Sequence, residues 1–335
     1  MTPPPDHPKI PAPRVGVLLI NLGTPDAADA ASVRRYLAEF LSDPRVVEIP
    51  KLIWQPILRG AVLTTRPKKS AHAYSQVWTE DGSPLAAITK RQALALVGAF
   101  GEGVTVDYAM RYGRPAIGDR VRALKEAGCE RILLAPLYPQ YSAATTATAN
   151  DKAFAALAAM RWQPAIRTLP PYYDDPAYID ALATNVRAGL DGLDFAPDAV
   201  VASFHGMPQR TLVLGDPYHC HCQKTGRLLA EALGRELVVT FQSRFGRAKW
   251  LEPATDTMLE AMPARGVKKV AIVAPGFSAD CLETLEELAI RGKESFLAAG
   301  GTHFAYLPCL NDSREGIVML RDLIARELAG WVDLP

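Results

Sequence analysis

The chain has 335 residues, with 37 Lys and Arg against 36 Asp and Glu and a formal net charge of +1. That balance excludes a polybasic nucleic-acid binder and an acidic tail protein. A hydrophobic fraction of 49% beside 22% charged residues excludes a disordered chain. At roughly 150 residues per domain, the length predicts two domains with cores of their own. No run approaches the roughly 18 apolar residues that a membrane span needs. Residues 1–13 are proline-rich without an apolar core, which does not read as a secretory signal. Five Cys, an odd number spread thinly, give no disulfide framework and point to a reducing, cytoplasmic setting.

In chain order, residues 14–21 form a short apolar run that ends at Leu22-Gly23-Thr24-Pro25, a buried strand followed by a turn. Residues 29–40 have helical spacing in Val33, Tyr36, Leu37 and Phe40. Residues 46–63 are apolar, broken by Pro50 and Pro56 and followed by Arg66, Lys68 and Lys69. They read either as a long apolar loop that must be covered or bind something, such as a membrane surface or an amphipathic ligand, or as a buried helix of unusual sequence. A strand at 104–110, a helix at 117–127 closed by Gly128 and a strand at 131–135 complete an α/β layer with a parallel sheet. The second half repeats the theme: a strand at 199–204 ending in His205-Gly206-Met207-Pro208, a helix at 225–233, strands at 237–241 and 270–274, and a closing amphipathic helix at 313–328.

Two internal similarities reinforce that reading. Leu22-Gly23-Thr24-Pro25 and His205-Gly206-Met207-Pro208 follow the first strand of each half, and residues 128–136 resemble residues 266–275. In open α/β sheets, ligands sit beyond the carboxyl ends of the strands. The positions to examine are therefore Leu22, Arg111, Tyr138, His205 and the segment 280–287. Glu283 and Glu287 are four apart and share a helix face, which reads either as a solvated face, supported by the adjacent Glu286, or as a carboxylate row passing a cation or protons. Cys220-His221-Cys222 looks like a metal cluster, but its C-x-C spacing is not that of a zinc site, so a surface loop is the plainer reading. No P-loop, G-x-G-x-x-G or G-x-S-x-G is present, which weakens nucleotide-binding and serine-hydrolase readings.

Taken in order, eight segments spread through nearly the whole chain resemble one family. They are Asn21-Leu-Gly-Thr-Pro25, Asp81-Gly-Ser-Pro84, Met110-Arg-Tyr112, Pro136-Leu-Tyr-Pro-Gln-Tyr-Ser142, Ser203-Phe-His-Gly-Met-Pro208, Gly215-Asp-Pro-Tyr218, Gln242-Ser-Arg-Phe-Gly246 and Ser278-Ala-Asp-Cys-Leu-Glu-Thr-Leu285. Together they are similar to the ferrochelatases, which insert ferrous iron into protoporphyrin IX. The resemblance implies two Rossmann-like α/β domains with parallel sheets flanking a porphyrin cleft, divided at 14–165, including the apolar lip 46–63, and 166–335, with the final helix packing back. It implies that His205 and Glu283 are catalytic and meet the metal, that Glu287 relays protons or metal, and that Leu22, Arg66, Tyr74, Ser83, Arg111, Tyr112 and Trp250 surround the macrocycle. Imidazole and carboxylate both suit iron(II) and both accept protons, and a cleft that bends the ring would expose its nitrogens. Arg66 and Arg111 are the candidates to pair with propionates. Fe(II) is then a substrate, no Fe–S cluster is expected, and the lip implies peripheral contact with membrane lipid, with no nucleic-acid partner.

The sequence departs from the family pattern in three places. Cys281 stands where many members have His, Arg291 where some continue the acidic row, and Leu22 where others carry Tyr or Met. The competing readings are a chelatase for another tetrapyrrole such as coproporphyrin III, and a non-catalytic haem or porphyrin carrier on the same fold. A carrier needs no base, so the presence of both His205 and Glu283 argues for the enzyme.

Overall fold

The computed structural model describes residues 13–246 and 248–333; the proline-rich stretch read above as no secretory signal lies outside them, save Pro13. The chain forms two four-stranded parallel sheets. The first is built from β1 (Arg14–Gly23), β2 (Val104–Tyr112), β3 (Cys129–Pro136) and β4 (Ala165–Thr168), in the spatial order β2-β1-β3-β4. Val17, Leu18, Leu19 and Ile20 are all fully buried, which an unbroken apolar run requires when helices cover both faces of a central strand. The second sheet contains β5 (Ala199–His205), β6 (Val238–Gln242), β7 (Lys269–Val273) and β8 (His303–Leu307), in the order β6-β5-β7-β8.

The two orders are the same pattern: the first strand lies inside, the second at its outer edge, the third on its other side and the fourth beyond. The internal similarity has a local cause as well. Gly128 and Gly266 each turn the chain into the third strand of a half, with φ of 91° and 88°, a backbone that residues bearing a Cβ rarely adopt. The folding unit, not only a turn motif, recurs.

The final helix, Arg314–Leu328, is capped by Ser313, whose hydroxyl accepts the Gly316 N–H. It sets Met319, Leu320, Leu323 and Ile324 into one core with Val15, Leu19 and Leu133 of the first sheet and with Tyr178 and Leu182 of the helix Pro176–Asp191. Burial of each such side chain stabilises by about 1.5–3 kcal/mol. Arg326 adds an ion pair to Asp175, the N-cap of Pro176–Asp191, at 2.6 Å.

One local alternative is decided and one expectation is corrected. The apolar stretch 46–63 is not a loop. It is helical from Lys51 to Ile57, widens into a π-helical turn at Leu58–Val62 and runs on as Leu63–Val77. Pro56 and Pro67 lie inside these helices and lack the N–H that an α-helical ladder needs, which is why propensity argued against a helix here. The helix expected at 225–233 starts at Tyr218, so Cys220-His221-Cys222 lies on it and not on a surface loop. Successive helix positions point apart: Cys222 is fully buried in the second sheet's core, whereas Cys220 is exposed. Among the described residues no group of three or more His, Cys, Asp or Glu is placed to hold a metal ion.

Candidate active site

His205 is the last residue of β5 and stands opposite Gln242, the last residue of β6. The next residue must be glycine: a Cβ on Gly206 would come within 2.4 Å of the Gln242 carbonyl oxygen. That close approach lets the Gly206 N–H bond the same oxygen at 2.7 Å, and the Gly206 carbonyl lies 2.7 Å from His205 Nδ1. The imidazole is held half-buried at the carboxyl end of the sheet.

Gln242 carries the connection onward. Its Oε1 accepts the Ser203 hydroxyl at 2.8 Å, and its Nε2 donates to the Glu283 backbone carbonyl at 2.7 Å. The three elements that meet here are thus β5, β6 and the turn Leu282–Thr284, which opens directly into the π-helix Leu285–Gly292. Glu287 lies one step into that π-helix, its carboxylate accepting the Ser243 N–H at 2.7 Å and the Ser243 hydroxyl at 2.6 Å. Burial pushes the Glu287 carboxyl above its ordinary value; the Ser243 bonds and the charges of His205 and Arg291 pull the other way, and Glu283 adds to the rise.

The solvated-face reading of this segment is corrected. Glu286, which seemed to support it, is buried and paired with Arg291 at 2.8 Å. Arg291 therefore ends the acidic row as a counter-ion. Cys281 is buried as well, and burial, then the neighbouring Glu283 charge, push its thiol well above the usual range. It stays a neutral thiol, an unsuitable proton acceptor at that position.

The first half supplies the facing wall. Leu22 packs with Leu85 and Ile88 against Phe277, Ala279 and Cys281, a cluster that crosses between the halves. Tyr74 is buried beside Leu282 and Trp78. Burial pushes the Tyr36 and Tyr74 phenols up, and the Glu283 charge adds to it. Ser83 is buried at the N-cap of Pro84–Ala95.

Arg111 and Tyr112 do not present free groups. The Arg111 guanidinium and the Thr148 hydroxyl both bond Asp43 Oδ2, and the fully buried Tyr112 donates its hydroxyl to the same atom at 2.8 Å. Burial opposes ionisation of Asp43, yet the bonds from Thr148, the Arg45 N–H and Tyr112, with the Arg111 charge, hold it below the ordinary carboxylate value. Arg111 is thus already neutralised, whereas Arg66 has no carboxylate partner among the described residues. Beside this cluster lies a cavity of about 550 Å³, lined by Asp43, Arg45, Glu48, Arg111, Thr148 and Asp151. Tyr138 is buried with no partner for its hydroxyl among the described residues.

Arg66 lies over the ring of Phe245, 5.1 Å from its centroid, and Phe245 packs on Trp250, whose Nε1 donates to the Phe245 carbonyl at 3.0 Å. Trp250 also pairs with Pro208 and borders Gly206, so this stack reaches the His205 turn. A second link between the halves is Glu48–Arg210 at 2.9 Å. The apolar rim beside these links is exposed: Leu52 at 92% and Ile53 at 59% from the first half, Val213 at 79% from the second.

Sequence reasoning singled out the acids and the histidine but not their holders. Gln242 and Ser243 entered only inside a quoted segment, and Asp43 not at all, because a Gln, a Ser or an Asp in isolation carries no spacing signal.

Comparisons with known proteins bear on the family and the fold. The ferrochelatase family model matches residues 14–328. The ferrochelatase of Rhizobium meliloti is 56% identical over 334 residues, covering 98% of both chains, and that of Agrobacterium fabrum is 54% identical with the same coverage. Among solved structures, SirB from Bacillus subtilis with Fe3+ aligns over 95% of this chain and 97% of its own, with a TM-score of 0.53 at 12% identity. The sirohydrochlorin chelatase SirB from Bacillus subtilis subspecies spizizenii in complex with cobalt gives 0.54 at 10% identity, over 94% of this chain and 97% of its own. At such identities the likeness is one of fold.

Proposed function

The chain belongs to the ferrochelatase family of metal-chelating lyases, and from that premise we propose that it inserts Fe(II) into protoporphyrin IX to make protohaem. Two pyrrole N–H protons leave as four iron–nitrogen bonds form. His205 and Glu283 are the groups at the metal, Glu287 relays protons or metal behind them, and Leu22, Tyr74, Ser83 and Trp250 wall the macrocycle. Arg66 pairs a propionate, while Arg111 and Tyr112 support that wall from behind through Asp43. The halves 14–165 and 166–335 act as two domains that close on the ring.

The observation that carries this reading is the Gln242 bridge: one side chain stands opposite His205 and holds the backbone of Glu283. An imidazole and a carboxylate carried on elements tied together in this way offer iron(II) two suitable ligands and the pyrroles two proton acceptors. The exposed apolar rim supports protoporphyrin over coproporphyrin III, because a substrate taken from a lipid surface must first be desolvated there, and two carboxylates cost less than four. The same rim supports peripheral contact with lipid on the cytoplasmic side; no described helix is long and apolar enough to cross a membrane.

Anaerobic mixing of purified protein with Fe(II) and either porphyrin, followed by absorbance, tests the proposal. Haem from protoporphyrin, lost in His205→Ala and in Glu283→Ala, is expected. Preference for coproporphyrin III would move the substrate, binding without metallation would make the protein a carrier, and an active His205→Ala would remove His205 from the chemistry.

A further inference from the structure

Among the described residues, two that are not glycine hold a left-handed backbone: Ser243 at φ 64° and Asn311 at φ 52°. That conformation is unfavourable for a residue with a Cβ and persists where surrounding contacts over-determine it. Both residues grip the same segment. Ser243, the first residue after β6, aims its N–H at Oε1 and its hydroxyl at Oε2 of Glu287. Asn311, in the loop after β8, accepts the Asp280 N–H on Oδ1 at 2.7 Å and donates Nδ2 to Asp280 Oδ2 at 2.6 Å. Each uses two hydrogen bonds on one acidic residue, and the two acids bracket Glu283.

The bracket is itself anchored. Gln92 of the first half donates to the Asn311 carbonyl at 2.8 Å and the Ser278 carbonyl at 3.1 Å. Asp280 Oδ1 accepts the Thr284 hydroxyl at 3.0 Å and the Tyr306 hydroxyl, so the carboxylate is satisfied on both oxygens. Between the brackets the chain begins the wide π-helical turn at Leu285, a winding that ordinarily yields to the α-helix and is frequent at functional sites.

We propose that Ser243 and Asn311 are positioning residues whose side-chain hydrogen bonds, aimed by a left-handed backbone, fix the two ends of the segment 280–287 and thereby set where Glu283 stands relative to His205. This rests on the role proposed for Glu283. A right-handed backbone at either position would turn these hydrogen-bonding groups away, and the acids would settle elsewhere.

Ser243→Gly and Asn311→Gly test this, because glycine keeps the backbone without strain and deletes only the side-chain bonds. The expected result is a KM for Fe(II) raised about 10–100-fold, the scale of outer-sphere substitutions at metal sites, with the porphyrin KM essentially unmoved. Amide hydrogen exchange across 283–292 should quicken in both variants. An iron KM equal to wild type, or iron and porphyrin KM rising together with a fall in melting temperature, overturns the proposal. Failure of the wild type to make haem would overturn the proposed function instead; exchange would then still decide the clamps, and unchanged protection across 283–292 would sink them.

Discussion

Gln242 donates its side-chain amide to the backbone carbonyl of Glu283 at 2.7 Å while standing opposite His205 in the β5–β6 ladder. One residue thereby ties the end of a strand to the turn that carries the acid. Gln242→Leu would keep the bulk and delete both hydrogen bonds, leaving the Ser203 hydroxyl and the Glu283 carbonyl short of partners. A cost of about 1–3 kcal/mol in stability is expected, read from urea unfolding. Turnover should fall about 10–100-fold because the carboxylate is no longer held in place. A variant that is less stable yet turns over normally would show that the bridge is structural only.

Gly206 offers a sharper test of the same corner. Its missing Cβ is replaced by the Gln242 carbonyl, with Trp250 Cε3 next at 3.3 Å. Gly206→Ala puts a methyl group against backbone that is already paired in the ladder, so the strain cannot be relieved by a rotamer change. About 1–3 kcal/mol of destabilisation is expected, together with loss of haem synthesis, since the residue displaced first is His205. Thermal unfolding and the chelation assay, run on one preparation, would reveal a mutant that folds and works as the wild type does and so defeats this reading.

These two residues also mark the limit of what the sequence discloses. The strands were legible because buried parallel strands are unbroken apolar runs, as at Val17 to Ile20. The repeated strand order was legible from two short similarities because each sits at a strand end, where turn chemistry is constrained. His205 and Glu283 were legible as motif residues. Glu286 was misjudged because a helical wheel sees neighbours along one element only, and its partner Arg291 is reached through a π-helical winding that no α-helical pattern predicts. Asp43 was invisible because its partners lie 68, 69 and 105 residues away in sequence. Residues 46–63 left loop and helix open because Pro50 and Pro56 interrupt the apolar run, whereas the tertiary packing of Leu58 and Leu63 holds a helix in place from Lys51 onward.

Asp43 supports a third prediction about stability. Its carboxylate gathers Arg111, Tyr112 and Thr148 on one oxygen and the Arg45 N–H on the other. Asp43→Asn leaves the Arg111 guanidinium, 11% exposed, without its counter-charge. The loss expected is about 3–5 kcal/mol. The sign of its pH dependence follows from a carboxyl held below its ordinary value in the folded protein. The stabilisation is fully present above the unfolded value, near pH 4, and is lost as pH falls through the folded one. Wild type and variant should therefore differ most at neutral pH and converge in acid. A gap that stays constant from neutral pH down into acid would mean that packing, not charge, is what Asp43 contributes.

The exposed rim yields a prediction in which stability should not change at all. Leu52 and Ile53 project from Lys51–Ile57 with 92% and 59% of their surface open, on the same helical segment that carries exposed Arg59, Lys68 and Lys69 further along. They contribute little to folding because they bury little, so Leu52→Asp with Ile53→Asp should alter unfolding by no more than about 0.5 kcal/mol. A lipid surface would be a different matter. Each aliphatic side chain that enters it gains about 1.5–3 kcal/mol, and the basic neighbours favour anionic headgroups. The double variant should then lose about two orders of magnitude in partition onto vesicles containing anionic lipid, and raised salt should weaken the wild type in the same direction. Metallation of protoporphyrin dispersed in detergent should proceed at the wild-type rate, since neither residue lies in the His205–Glu283 corner. Sedimentation with vesicles reads the first effect and absorbance the second. Equal sedimentation of the two proteins would assign the rim to something other than lipid, and a fall in detergent-phase turnover would place Leu52 and Ile53 among the walls of the porphyrin site.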